Sequence, residues 1–169
     1  MTTAAKPMKI TRLVPWFGAN ADNAHVPAEM LKACTWVAIP FAGSMCEVPH
    51  FRPGVQILVS DLHDELLMLA RVVGNYPLKE QLAERLSRRL FHPGELDEAL
   101  KVLREARSKR CGTLFGRGDQ RPVDLVEVAE AYFVASWMGR NGIAGTTGEL
   151  RTSLALRYDA GGGDPVTRF

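Results

Sequence analysis

From Val37 to Val48 the chain reads Val-Ala-Ile-Pro-Phe-Ala-Gly-Ser-Met-Cys-Glu-Val, an apolar run that meets a proline and then passes through a glycine. The pattern predicts a strand, a tight turn and the start of a helix. Glycine lets the backbone turn sharply and leaves no side chain in the way, which is how α/β nucleotide-binding proteins bring backbone close to a ligand. An α/β fold with a ligand near the end of this strand is the expectation.

A second apolar, β-branched run, Val55 to Ser60, comes after the connector Pro49-His50-Phe51-Arg52-Pro53-Gly54 and ends at Asp61. Ligands sit outside the carboxyl ends of the strands in open α/β sheets, so an acid there is placed to accept hydrogen bonds from ribose hydroxyls. Asp61 is equally suited to cap the next helix, a role for which Asp64 competes. Leu66, Leu69, Ala70 and Val73 then recur at helical spacing, predicting a helix over 64–73 that covers the sheet. Leu62 reads either as a core leucine or as a contact to a planar base.

Upstream, Pro15-Trp16-Phe17-Gly18-Ala19-Asn20 is a loop carrying two aromatics able to stack on a planar ligand. A short helix is expected over Pro27 to Ala33, with the proline tolerated in its first turn. Past Tyr76 the character changes to Leu, Ala, Glu and Arg, and three helices are predicted over Pro77–Leu90, Glu95–Lys109 and Val123–Trp137. Arg85, Arg88, Arg89, Arg104, Arg107, Lys109 and Arg110 are interleaved with acids, so most belong to solvated helix faces. The sequence divides into 1–75, 76–150 and a tail over 151–169, with one short further strand expected at Leu154-Ala155-Leu156.

At 169 residues and 46% hydrophobic content, the chain suffices for one sizeable core plus a lobe. A net charge of +2 permits nucleic acid without demanding it. Three cysteines, Cys34, Cys46 and Cys111, lack paired spacing and form no ligand set with the four histidines, so a reduced cytoplasmic protein without a metal site is expected. No run approaches the ~20 apolar residues of a membrane span.

Three motifs carry a resemblance. Pro40-Phe41-Ala42-Gly43-Ser44 resembles the S-adenosylmethionine (AdoMet) loop of Dam-type DNA adenine methyltransferases, usually Phe-x-Gly-x-Gly, with Met45 where the second glycine is usual. Trp16, Gly18 and Ala19 resemble the family's aromatic-x-Gly-Gly-Lys segment, with Asn20 in place of the lysine, and Ser60 to Leu67 resembles its Asn-Asp-Ile-Asn-x-Asp-Leu segment. Ala131 to Gly142 is similar to the family's aromatic helix end and Asn-Gly, before a loop implicated in DNA contact.

The resemblance implies a partial Rossmann-like methyltransferase sheet with a helical DNA-facing lobe, and AdoMet as cofactor. It implies cofactor contacts at Trp16, Pro40, Phe41, Ala42, Gly43, Ser44, Asp61 and Leu62. Double-stranded DNA is the implied partner, with contacts at Arg140 and Asn141; those two residues serve equally as a helix C-terminus and turn. The implied activity is methyl transfer from AdoMet to the exocyclic nitrogen of adenine, in a restriction-modification setting.

The catalytic Asp-Pro-Pro-aromatic segment of that family does not occur here. Asp164-Pro165-Val166-Thr167 is the nearest match and comes after three glycines rather than an apolar strand. No catalytic residue is therefore assigned, and the chain is expected to be inactive alone. A noncatalytic nucleic-acid-binding or assembly subunit, completed by another chain, is the alternative, and a module for another nucleotide is a third. An open sheet edge would favour self-association.

Overall fold

The computed structural model describes residues 11–16, 19–111 and 124–139. These form a mixed α/β structure with five α-helices and a two-stranded parallel sheet. In chain order they are α1 (His25–Met30), β1 (Trp36–Pro40), β2 (Gln56–Ser60), α2 (Asp64–Val73), α3 (Tyr76–Ser87), α4 (Pro93–Cys111) and α5 (Leu125–Met138). The strands expected before Pro40 and Asp61 and the four longer helices appear, with ends shifted by a few residues, while the short strand expected at Leu154-Ala155-Leu156 lies outside the described residues.

The segment after the Gly43 turn departs from expectation. No α-helix starts there; the crossover from β1 to β2 carries only a 3-10 turn at Val48–His50. The cause is in the connector. Pro49 and Pro53 each remove a backbone donor, and Gly54 takes a left-handed φ of 88°, so helical hydrogen bonding cannot propagate. Arg52 secures the loop instead, donating to the Lys32 and Cys34 carbonyls at 3.2 and 3.3 Å.

The parallel register pairs Trp36 with Gln56, Ala38 with Leu58 and Pro40 with Ser60. Side chains alternate across a strand, so Val37, Ile39, Ile57 and Val59 lie on one face and Trp36 and Leu58 on the other. The first face packs toward the helices. On the second, Trp36 is 64% exposed and Leu58 61% exposed, with no described element covering them.

The core is built around α5. Eleven of its fourteen residues are buried, including Tyr132, Phe133, Val134 and Met138. A helix that is apolar all round belongs in an interior, and this one has α2, α3 and α4 packed on it. Leu66, Leu69 and Val72 of α2, Leu82 and Leu86 of α3, and Leu96, Leu100 and Leu103 of α4 close the same cluster, which also includes Val14, Ala42 and Met45. Burying one such side chain contributes about 1.5–3 kcal/mol.

Asp124 starts α5 by accepting from the backbone N–H groups of Val126 and Glu127 at 2.9 and 3.2 Å. Burial opposes ionisation of Asp124, but those amides and the Arg85 guanidinium outweigh it and hold its pKa below the ordinary value. One turn on, Glu130 is buried on the core side and accepts from Arg89 Nε at 2.7 Å, with Arg85 3.6 Å away. The bond to Glu130, against the opposing effect of burial and with help from Glu95, raises the Arg89 pKa further. Among the described residues, no helix is long and apolar enough to cross a membrane.

Candidate functional site at the strand ends

The carboxyl ends of β1 and β2 converge on a polar turn. Ala42 N donates to the Ser60 carbonyl at 3.0 Å and carries the pairing one step beyond the strands. Asp61, the residue after β2, divides its carboxylate between two backbone donors. Oδ2 accepts from Gly43 N at 2.9 Å and Oδ1 from His63 N at 3.0 Å. The second bond closes a short turn ahead of α2, and the residue at the helix boundary itself is His63, whose side chain makes no capping bond. Each carboxylate oxygen retains acceptor capacity after these bonds.

The β1 turn is wound tightly. Phe41, Gly43 and Met45 have φ of 57°, 49° and 54°. For non-glycine residues this left-handed conformation costs roughly 1–2 kcal/mol. Met45 holds it within the apolar core, 4% exposed, so its side-chain burial offsets the cost. Phe41 holds it while 81% exposed, with little packing to compensate. Strain kept by an outward-facing aromatic is the kind of outlier that collects at ligand sites.

Trp16 lies over this turn. A methyl group added at Gly43 would sit 3.3 Å from Trp16 Cδ1, so the indole comes as close to the backbone as a glycine allows. The Trp16 ring also meets His63 edge to face, with centroids 5.2 Å apart. Leu62 projects outward at 90% exposure. The site therefore brings together Trp16, Phe41, Gly43, Asp61 and Leu62 as the sequence proposed. Pro40 is exposed at the strand end, whereas Ala42 and Ser44 are buried and can offer a ligand little besides backbone. The Ser44 carbonyl is already engaged by Leu13 N at 2.9 Å.

No family model, curated protein or solved structure matches this chain. The site must be read from its own chemistry.

Gly18, Arg140 and Asn141 lie outside the described residues. The end of α5 that leads to Arg140 is nonetheless placed: Trp137 Nε1 donates to the Leu13 carbonyl at 3.2 Å, and Leu13 is the residue bonded to Ser44. Of the basic residues between 85 and 110, Arg85, Arg88, Arg89 and Arg107 are paired with Asp124, Glu84, Glu95, Glu130 or Glu65. Arg85, Arg89 and Arg107 tie α3 or α4 to neighbouring elements, whereas Arg88 with Glu84 is an exposed pair at the end of α3. No set of three or more His, Cys, Asp or Glu side chains converges as metal ligands among the described residues.

Sequence reasoning missed two groups at this site. His63 carries no motif signal beyond its place two residues after Asp61. The second is a polar cluster beneath the turn, with Glu65 of α2 bonded to Arg107 of α4, beside Tyr132 and Ser136 of α5. Buried in the core, the Tyr132 hydroxyl has its pKa pushed up, first by burial and then by the negative charges of Glu65 and Asp61. Neither Tyr132 nor Ser136 makes a well-formed hydrogen bond.

Proposed function

We propose that this chain forms the AdoMet-binding part of a Dam-type DNA adenine methyltransferase, with β1 and β2 belonging to a Rossmann-like sheet. The observation that carries this reading is the Asp61 carboxylate bonded to the Gly43 amide across adjacent parallel strand ends, flanked by outward-facing Phe41 and Leu62. Met45 adds to it: where the family has its second glycine, Met45 adopts the backbone conformation that glycine favours.

The residues present suit AdoMet. Asp61 would accept from the ribose hydroxyls, and Phe41 and Leu62 would cover the adenine ring. Trp16 would wall the turn, while Pro40, Ala42 and Ser44 would contribute shape and backbone. AdoMet supplies a methyl group activated on a sulfonium. The task of this chain is to orient that group and exclude water from one side of it, since positioning is most of the catalysis in such a transfer. Arg140 and Asn141 would meet double-stranded DNA, and the target adenine must leave the stack to present its amino nitrogen. The Asp-Pro-Pro-aromatic segment that would hold that nitrogen is not among these 169 residues.

A noncatalytic assembly subunit is the second reading. It is favoured by the outward sheet face bearing Trp36 and Leu58 and by strand edges unpaired among the described residues, since such edges invite another chain or a second copy.

Calorimetric titration with AdoMet separates the two. Saturable binding that Asp61→Ala and Leu62→Ser both weaken is the expected result. Leu62→Ser is the cleaner variant, because a side chain 90% exposed contributes little to folding. A folded chain that binds no AdoMet, or binds another nucleotide in preference, overturns the cofactor assignment.

A further inference from the structure

Glu65 is the second residue of α2, and its side chain is 6% exposed, an unfavourable place for an ionised carboxylate without a partner. Arg107 provides one. Its Nε donates to Glu65 Oε1 at 2.9 Å from the far part of α4, 42 residues along the chain. A buried ion pair gives little net stability over apolar side chains of the same volume, whereas breaking one leaves an uncompensated charge. What such a pair does provide is direction, because the planar guanidinium holds a carboxylate in fixed geometry.

The direction is felt in the strand-end turn. Asp61 lies four residues before Glu65; its bond to His63 N is local, and its bond to Gly43 N holds only if the start of α2 stays against the β1 turn. The turn rests on an interior that is poor in polar support. Tyr132 and Ser136 are fully buried beneath it and make no well-formed hydrogen bond. Two buried hydroxyls without a directed partner leave a helix end free to slide or rotate in a way that a planar ion pair does not.

We propose that Arg107 is a positioning residue for the strand-end site: by holding Glu65 it fixes the first turn of α2 and hence the Asp61 carboxylate against Gly43. The helical part of the chain thereby sets the geometry of the turn. The consequence for AdoMet rests on the cofactor assignment above; the consequence for the turn does not.

The test is site-resolved amide hydrogen exchange on the full chain, comparing wild type with Arg107→Gln and Arg107→Lys. In Arg107→Gln the Gly43 and His63 amides, both bonded to Asp61, should exchange roughly tenfold faster in excess of any uniform change that lost stability brings to interior amides of α4 and α5 such as Leu100 and Val134. Arg107→Lys retains charge without the planar fork and should fall between, and it serves alone if the glutamine variant does not fold. AdoMet affinity should weaken in the same order. Acceleration spread evenly over the chain, or unchanged Gly43 and His63 amides, overturns the proposal. Selective acceleration in a chain that binds no AdoMet upholds it and removes only the cofactor assignment.

Discussion

Replacing Phe41 by glycine should leave the protein as stable as before or slightly more so, although Phe41 is a large aromatic. The balance rests on two numbers. Phe41 sits at φ 57° and is 81% exposed. Relief of the left-handed conformation returns roughly 1–2 kcal/mol. The added flexibility of glycine in the unfolded chain takes back about 0.5–1 kcal/mol. Only about a fifth of the side chain is covered, so the lost burial is on the order of 0.5 kcal/mol. The net lies between about −0.5 and +1 kcal/mol, centred slightly above zero, where truncating a packed phenylalanine costs about 3–5 kcal/mol. Urea unfolding with an unchanged m-value reads this directly, and Phe41→Asn should have the same sign because asparagine tolerates this backbone region. AdoMet binding, measured in parallel, should weaken in both variants. A loss of stability above about 2 kcal/mol would refute the reasoning, because it would mean that Phe41 is a packing residue. Unchanged affinity would remove Phe41 from the binding surface.

Three further outcomes are expected. Asp124→Ala should cost about 1 kcal/mol through loss of the α5 cap. The Asp124 pKa is lowered from 3.8 by folding, so its contribution is present above that value and lost as pH falls through the lower, folded one; the gap between wild type and variant should close in that acid window. Glu130→Ala removes the buried acceptor of Arg89 but leaves Glu95 at 2.6 Å, so it should cost about 1.5–3 kcal/mol in urea unfolding; a loss below about 0.5 kcal/mol would show that Glu95 and solvent already satisfy Arg89. Gly43→Ala places a methyl group 3.3 Å from the Trp16 indole at a φ of 49°, so it should destabilise by about 1–2 kcal/mol and perturb near-ultraviolet circular dichroism from Trp16; an unaltered spectrum would mean that the indole is not packed on the turn.

The elements that the sequence revealed are those whose pattern is local. Apolar runs bounded by turn residues mark β1 and β2, helical spacing marks α2, and a composition rich in Leu, Ala, Glu and Arg marks α3, α4 and α5. The meeting of Gly43 and Asp61 was legible too, because both follow strands whose carboxyl ends lie together, whereas only the family resemblance put Trp16 beside them. The features that stayed hidden depend on distance along the chain. Nothing near Glu65 announces that Arg107 will reach it, since an acid in a first helical turn and an arginine near a helix end are both ordinary surface choices. The missing crossover helix was concealed differently: Gly43 predicts a turn, but two prolines downstream decide the path of the backbone beyond it. The left-handed backbone at Phe41 and Met45 could not be read from residue type, because their chemistry argues against it.

The burial of α5 on every side has a consequence for how the protein is made. Ribosomes release a chain from its N-terminus, so α2, α3 and α4 emerge while the helix they pack on is still being synthesised. Until residues 125–138 leave the exit tunnel, the leucines that face α5 lack the partner that buries them, although α2 and α3 can already meet each other. Early folding can therefore go no further than loosely associated helices. Completion waits on a single late segment, and a cell that produces this protein quickly must shelter the growing polypeptide until that segment arrives.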